Sequence, residues 1–355
     1  VNSSVSFSDN TFHIANANWR SSDGRVEVWK DGTLSFAATG FRTGVPITTN
    51  GTLAIAGEQD AQDDNYADSQ AHFGDFAEIM IFNTFLNSAQ HIIVSNYLSS
   101  KYDLNIANDR FSYDPTHRHD LAGIGRQDAS NVHSAAMSAD ILRIQNASGL
   151  NADPEYLLFG HDNTDASTTW TTTEAPNSGI NIQRLVREWR LDETGDVGTI
   201  DVVVNTAAMP VLPAGHTMYA LMVDADGDFS SGASIYEMVL SSGTEYTVVG
   251  VDFNGGDYVA IAAVRPTIQH TITSSSGLED VNASIAVELN FIPSASRTVQ
   301  VTTANTAMGS ATAGSDYMAL VASVATITAG TTDTNYAVIV ENDINPEGNE
   351  TFTAT

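Results

Sequence analysis

The chain has 355 residues and sets 14 Lys and Arg against 43 Asp and Glu, a net charge of −29 that repels phosphate backbones and anionic lipid and excludes nucleic acid as a partner. A hydrophobic share of 42% suffices to bury packed cores, which excludes wholesale disorder. The lack of cysteine excludes disulfides, thiolate nucleophiles and cysteine-based metal sites, and no apolar run reaches the roughly 18 residues of a helix inserted across a membrane.

Short alternating apolar stretches broken by Gly, Asn, Asp and Ser recur along the chain, as at 25–29, 199–204 and 336–340, and predict an all-β protein built of sandwiches. One short helix is expected near 88–101, capped by Ser88, with Ile92, Ile93, Tyr97 and Leu98 on one face. It closes a first domain, 1–106. At Val264-Arg265-Pro266 a run of small apolar residues gives way to a fresh alternating pattern, so a middle β-rich domain spans 107–265 and a third domain spans 266–355. The sequence opens without an initiator Met or signal segment and stops inside an alternating pattern, so a fragment of a longer protein is expected, with the outer two sandwiches incomplete. Abundant Thr, Ser, Gly, Ala and Asp with sparse Lys point to an extracellular or cell-surface setting.

In the first domain, Arg25–Trp29, the Asp31-Gly32 pair and the following Thr33-Leu34 predict a hairpin with a tight turn. Together with 51–60 and 73–83, this stretch resembles the back half of a concanavalin A-like jelly roll of the laminin-G and pentraxin-like kind. Asn96–Tyr102 resembles the aromatic-lysine helix that ends bacterial members. Glu58, Gln59, Asp60 and the later Gln70 are similar to the pentraxin calcium loop, in which carboxylates, a Gln carbonyl and a Gln amide oxygen ligate the ion. An acidic solvated loop is the other reading of the same residues. Family-16 glycoside hydrolases share the jelly roll, but Glu58–Asp63 ends in Asp and places Gln where their catalytic strand is apolar, so no enzyme activity is expected.

In the middle domain, Gly123–Asp128, Glu188–Thr199 and Leu221–Phe229 resemble an uncharacterised β-rich module of large bacterial surface proteins. Gly123 and Gly125 lack the third glycine of a dinucleotide loop and are expected to be turn residues. Asp224, Asp226 and Asp228 place carboxylates at every second residue of a turn, where they can converge on calcium or simply keep a hairpin tip solvated. The turn is no EF-hand, since Phe229 and Ile235 occupy the positions of its Gly and bidentate Glu. His117 and His119, two apart, would share a face of a strand and offer a transition-metal pair without a third ligand; a solvated loop is the alternative.

The third domain contains one basic residue, Arg297, against nine Asp and Glu. Gly277–Asp280, Ala311–Tyr317, Ala325–Gly330 and Asn342–Phe352 resemble a Calx-beta domain, which implies an immunoglobulin-like sandwich with calcium at one end. The resemblance assigns ligand roles to Glu279, Asp316, Asp343, Glu347 and Glu350, with Asn342 where an Asp is usual. A domain that keeps this fold without calcium is the other reading.

These readings imply a non-catalytic, calcium-binding fragment of a secreted or cell-surface adhesin-like bacterial protein with a lectin-like domain. Its partner would be an extracellular glycan or other surface ligand. The alternatives are an accessory region of a secreted carbohydrate-active enzyme or protease, or a plain structural stalk.

Overall fold

A computed structural model describes residues 3–47, 54–57, 59–61, 64–66, 71–271, 278, 281–306, 311–342 and 349–355. The chain divides into two compact units, Val1–Asp109 and Arg110–Thr355. Apart from short helices, both are built of antiparallel strands, so the all-β expectation holds. Among the described residues no helix is long and apolar enough to cross a membrane.

The first unit contains β1 (Ala15–Arg20), β2 (Arg25–Lys30), β3 (Thr33–Ala38), β4 (Gln59–Ala61), β5 (Asp64–Tyr66) and helix α1 (Ser88–Tyr102). Strands β1, β2 and β3 form one sheet. Asp31 (φ 48°) and Gly32 (φ 78°) supply the two left-handed residues of the tight turn that closes β2 onto β3. A Cβ on Gly32 would lie 2.3 Å from the Ala107 carbonyl oxygen, so glycine is required there twice over. Residues 73–83 form no strand, and Phe73 and Ile81 are exposed.

Helix α1 starts one residue earlier than expected. Asn87, not Ser88, is the cap: its Oδ1 accepts from the Gln90 N–H at 3.0 Å, and the Gln90 side chain accepts from the Asn87 N–H at 2.9 Å. Its buried face carries Ala89, His91, Ile92, Ser95, Asn96 and Ser99, whereas Ile93, Tyr97 and Leu98 are only half-buried. Some of its polar side chains find partners: Asn96 Nδ2 donates to Asn108 O at 3.0 Å and Ser99 Oγ to Leu104 O at 2.5 Å. His91 stacks on Trp29 with ring centroids 4.5 Å apart, and its Nε2 lies 2.6 Å from Asn18 Nδ2.

The second unit begins with the one-turn helix α2 (Asp114–His117). It continues through β6 (His119–Asp128), β7 (Asn131–His133), β8 (Ala135–Ser138), β9 (Leu142–Gln145), β10 (Glu155–His161), β11 (Trp170–Thr171), β12 (Ile182–Leu185), β13 (Trp189–Thr194), β14 (Ile200–Asn205), β15 (Met218–Asp224), β16 (Ser234–Glu237), β17 (Val239–Ser242), β18 (Glu245–Val251) and β19 (Tyr258–Val264). Seven short strands follow: β20 (Ile268–His270), β21 (Ala283–Leu289), β22 (Arg297–Val301), β23 (Thr303–Asn305), β24 (Ser323–Ile327), β25 (Asp333–Val338) and β26 (Phe352–Ala354).

A nine-stranded sheet runs β11-β12-β19-β13-β10-β6-β7, with β15 pairing β19 and β16 pairing β15; a five-stranded sheet runs β17-β18-β14-β9-β8. The two pack face to face over one core that includes Trp189, Phe159, Leu221 and Ile261 from the larger sheet and Ile144, Val202 and Val204 from the smaller. Gly123 and Gly125 are not turn residues. They lie inside β6 opposite Leu158 and Tyr156, and a Cβ on Gly125 would sit 2.1 Å from the Tyr156 ring, so the glycine makes room for a buried aromatic on the neighbouring strand.

Strand β19 is buried along nearly its whole length. Val259 and Ile261 face the inter-sheet core, while Ala260, Ala262 and Val264 face a second core on the opposite side. That second core also holds Phe229, Met222, Ile235 and, from beyond Pro266, Phe291. Backbone bonds complete the join: the Glu237 N–H donates to Ile292 O at 2.9 Å and the Ile292 N–H to Ile235 O at 2.7 Å. Glu237 then accepts from Arg297 Nη2 at 2.6 Å and from the N–H and hydroxyl of Ser294, each at 2.9 Å.

Phe291→Ala removes a side chain from the core that β15, β16 and β19 share, and a cost of about 3–5 kcal/mol is expected. Urea unfolding of the full chain followed by tryptophan fluorescence checks this, because residues 266–355 contain no Trp. The second unit's fluorescence transition moves to lower urea; an unmoved transition contradicts the shared core.

Candidate functional site

The aspartates at the end of β15 come together in one turn. Asp224, buried at 5% exposure, accepts through Oδ1 from the N–H of Asp226 (2.9 Å) and of Gly227 (2.8 Å). Asp226 Oδ1 accepts from the Asp228 N–H at 2.9 Å, and Asp228 Oδ1 from the Ser230 N–H at 3.1 Å. Each carboxylate thus closes a turn on the residue two ahead of it, a local use that Asp performs readily. Burial raises the Asp224 carboxyl above its usual range, with Asp226 adding to the effect. Burial also raises Asp257, and the charge of Asp224 adds to it. Phe229, noted in the sequence only as the wrong residue for an EF-hand, is the anchor of this turn: it is fully buried in the second core beneath the Arg184 guanidinium, 5.1 Å from its ring centroid.

In the last segment Asp316 and Asn342 arrive on adjacent backbone. The Glu341 N–H donates to Asp316 O at 2.9 Å, the Met318 N–H donates to Ile339 O at 2.9 Å, and Tyr317 bridges Val340. Tyr317 organises this end. It is 1% exposed, donates its hydroxyl to Asn305 Oδ1 at 2.8 Å and stacks on Phe352 with centroids 4.5 Å apart. Phe352 begins β26, two residues after Glu350, so the segments carrying Asp316, Asn342 and Glu350 meet around one aromatic pair. Glu341, exposed beside Asn342, is a further carboxylate at this end. Glu279, Asp343 and Glu347 lie outside the described residues, as do Glu58 and Gln70 of the first unit. Gln59 and Asp60 belong to β4, which pairs with β5 as a short hairpin. Among the described residues no three His, Asp or Glu side chains stand close enough together to hold a metal ion.

The histidine pair is arranged differently from the expectation. Pro115 starts a helical turn that takes in His117, while His119 opens β6, so the two do not share a strand face. His119 instead neighbours His161 across the β6–β10 pairing, with ring centroids 5.8 Å apart. His161, 1% exposed, accepts through Nδ1 from the Asn163 N–H at 2.9 Å and donates from Nε2 to Asp120 Oδ2 at 2.8 Å, which fixes its tautomer. His117, 6% exposed, bonds Thr116 Oγ1 through Nδ1 at 2.9 Å, and among the described residues its Nε2 has no partner. Beside it Arg190 lies between the rings of Tyr113 and Tyr258, at 3.6 and 4.5 Å. Burial holds His117 down at about 4 and lowers His161 as well, so both are neutral imidazoles at pH 7.

Residues 3–114 match the model of the Pentaxin family. Residues 91–257 match the model of a domain of unknown function, DUF8202. No curated protein and no solved structure matches the chain. The first match fits a concanavalin-type jelly roll in the first unit and includes α1, whose residues from His91 onward fall in both matches. The second match stops at residue 257, one residue before β19.

Burial lowers the folded-state pKa of His117 from 6.5 to about 4, so as the pH falls the unfolded chain takes up the proton first. The stability linked to this group is complete above about pH 6.5, declines below it and is lost near pH 4, on the order of 2–3 kcal/mol in all. Urea unfolding of the full chain between pH 4 and 8 checks it: His117→Phe flattens the second unit's profile in that window, and an unchanged slope contradicts the assignment.

Proposed function

We propose that the chain is a non-catalytic binding segment of a secreted or cell-surface multidomain protein of the adhesin type. The observation that carries this reading is the Pentaxin family match over residues 3–114. The first unit would recognise an extracellular glycan or other surface ligand, with Glu58, Gln59, Asp60 and Gln70 as its calcium loop. The middle module, 107–265, would position that unit relative to a Calx-beta-like last module, 266–355.

The fit of the last module to calcium rests on the convergence at Tyr317 of the segments bearing Asp316, Asn342 and Glu350. Calcium takes six to eight oxygens, and these residues with Glu279, Asp343 and Glu347 would supply them from loops distant in sequence. The ion would neutralise crowded carboxylates and bind only the folded state, so it would stiffen this end of the protein. A net charge of −29 supports the same setting, since such a chain repels itself until cations are bound.

The test compares the full chain in calcium and in chelator, by thermal melting and by capture on an array of immobilised glycans. At a hundredfold excess of calcium over its dissociation constant, stabilisation of about 2.7 kcal/mol is expected. Asp343→Ala and Glu347→Ala abolish the rise in Tm, and Asp60→Ala abolishes calcium-dependent glycan capture. Identical melting in both buffers with no capture in either contradicts the proposal.

A further inference from the structure

Where the last module joins the middle one, the second unit has an open cleft of about 770 Å³. One wall is β17, whose Val239 and Leu240 are exposed; the other is the stretch Arg297–Gln300 of β22. Tyr219 and Tyr246 line it from the middle module, their rings 4.8 Å apart and edge to face, each half-buried and backed by the inter-sheet core. The cleft is preformed. Phe291 and Met238, both buried, belong to its lining, and the bonds of Glu237 to Ser294 and Arg297 hold its two walls in register.

The chemistry of the lining selects an occupant. Its only charged residues are Glu237 and Arg297, and they neutralise each other at 2.6 Å. The remaining polar groups are neutral and unengaged: among the described residues the hydroxyls of Tyr219, Tyr246, Thr217 and Thr298 and the amide of Gln300 make no hydrogen bond. Aromatic rings backed by a rigid core, apolar side chains between them and free two-way hydrogen-bonding groups complement a ligand with alternating C–H faces and hydroxyls. A polyanion finds no unpaired cation here and meets a chain of net charge −29. A peptide strand added to the outer edge of β17 is the competing occupant, but its backbone ladder leaves the hydroxyl and amide groups unused.

We infer that this cleft is a second binding site, separate from the first unit, for a segment of neutral oligosaccharide, held by Tyr219 and Tyr246 and by the hydroxyl and amide groups of Thr298 and Gln300. Because its only carboxylate is already engaged by Arg297 and Ser294, binding there does not need calcium. This goes beyond the proposed first-unit site and stands or falls independently of it.

Isothermal titration of the full chain in EDTA tests the inference, with hexasaccharides of neutral glucan, xylan, mannan and chitin backbones, an oligoguluronate as the anionic probe and an alternating Thr-Val octapeptide as the strand probe. At least one neutral hexasaccharide binds. Tyr246→Ala weakens it by about tenfold or more, and Tyr246→Phe and Gln300→Ala, which keep the packing, by about threefold to tenfold. Asp60→Ala leaves it unchanged. The inference is overturned by an absence of neutral-saccharide binding in EDTA, by affinity undiminished in Tyr246→Phe and Gln300→Ala, or by binding of only the octapeptide or the oligoguluronate. Binding that needs calcium and disappears in Asp60→Ala belongs to the first unit and also overturns it.

Discussion

Burial of β19 on both of its faces is the constraint from which the second unit follows. A strand in an antiparallel sandwich usually needs only one apolar face, and the other meets water. Tyr258–Val264 is apolar throughout and pairs with β15 along one edge and with β12 and β13 along the other. Its Val259 and Ile261 are satisfied by the five-stranded sheet, but Ala260, Ala262 and Val264 face the other way and need a second cover. Phe229 and Phe291 cover them, one from the aspartate turn and one from the last module. The small alanines let these two phenylalanines approach the sheet closely. The local geometry inherits this: the aspartate turn is anchored by Phe229, Phe291 lines the cleft, and Arg297 ties β22 to Glu237 across it.

The acidic composition is accommodated locally. Many of the described carboxylates close turns on the backbone a few residues ahead, as in the run from Asp224 to Asp228 and at Asp165, where bonds from Thr168 and Ser167 hold the carboxyl down at about 2. Two of the arginines are used inside the second unit. Arg184, 3% exposed, ties Glu174 and Glu188 to the carbonyls of Leu185 and Thr173, and Arg190 is held between two tyrosines. Carboxylates at the loop ends are thus left with few protein cations to pair with, the electrostatic situation in which a divalent ion adds most.

Local signals in the sequence were legible because their physics is local. The Asp31-Gly32 turn, the strands at 25–29 and 199–204 and a helix near 88–101 each follow from residues within one turn or one strand of each other. What was not legible depends on partners far away in the chain. The cap fell on Asn87 because Gln90 completes its bonds, and His91 on the buried helix face is held by Asn18 and Trp29. Gly123 and Gly125 read as turn residues until Leu158 and Tyr156 were placed opposite them. No local pattern shows that Phe291, from beyond Pro266, shares a core with Phe229 and Met222. Of the candidate site, alternation exposed the acidic residues of the 224–228 turn, but no local pattern shows that Tyr317 gathers three loops or that Tyr219 and Tyr246 line one cleft.

The claim on which the rest depends is that β19 and its two cores join Phe291 and Ile292 to the strands before Pro266. Native-state hydrogen exchange of the full chain under mild denaturant tests it most directly. The account predicts that the amides of β15, β19 and Ile292 exchange through a common opening with one free energy. A separate, lower-energy opening that releases Ile292 and the strands after Pro266 while β19 stays protected would contradict it.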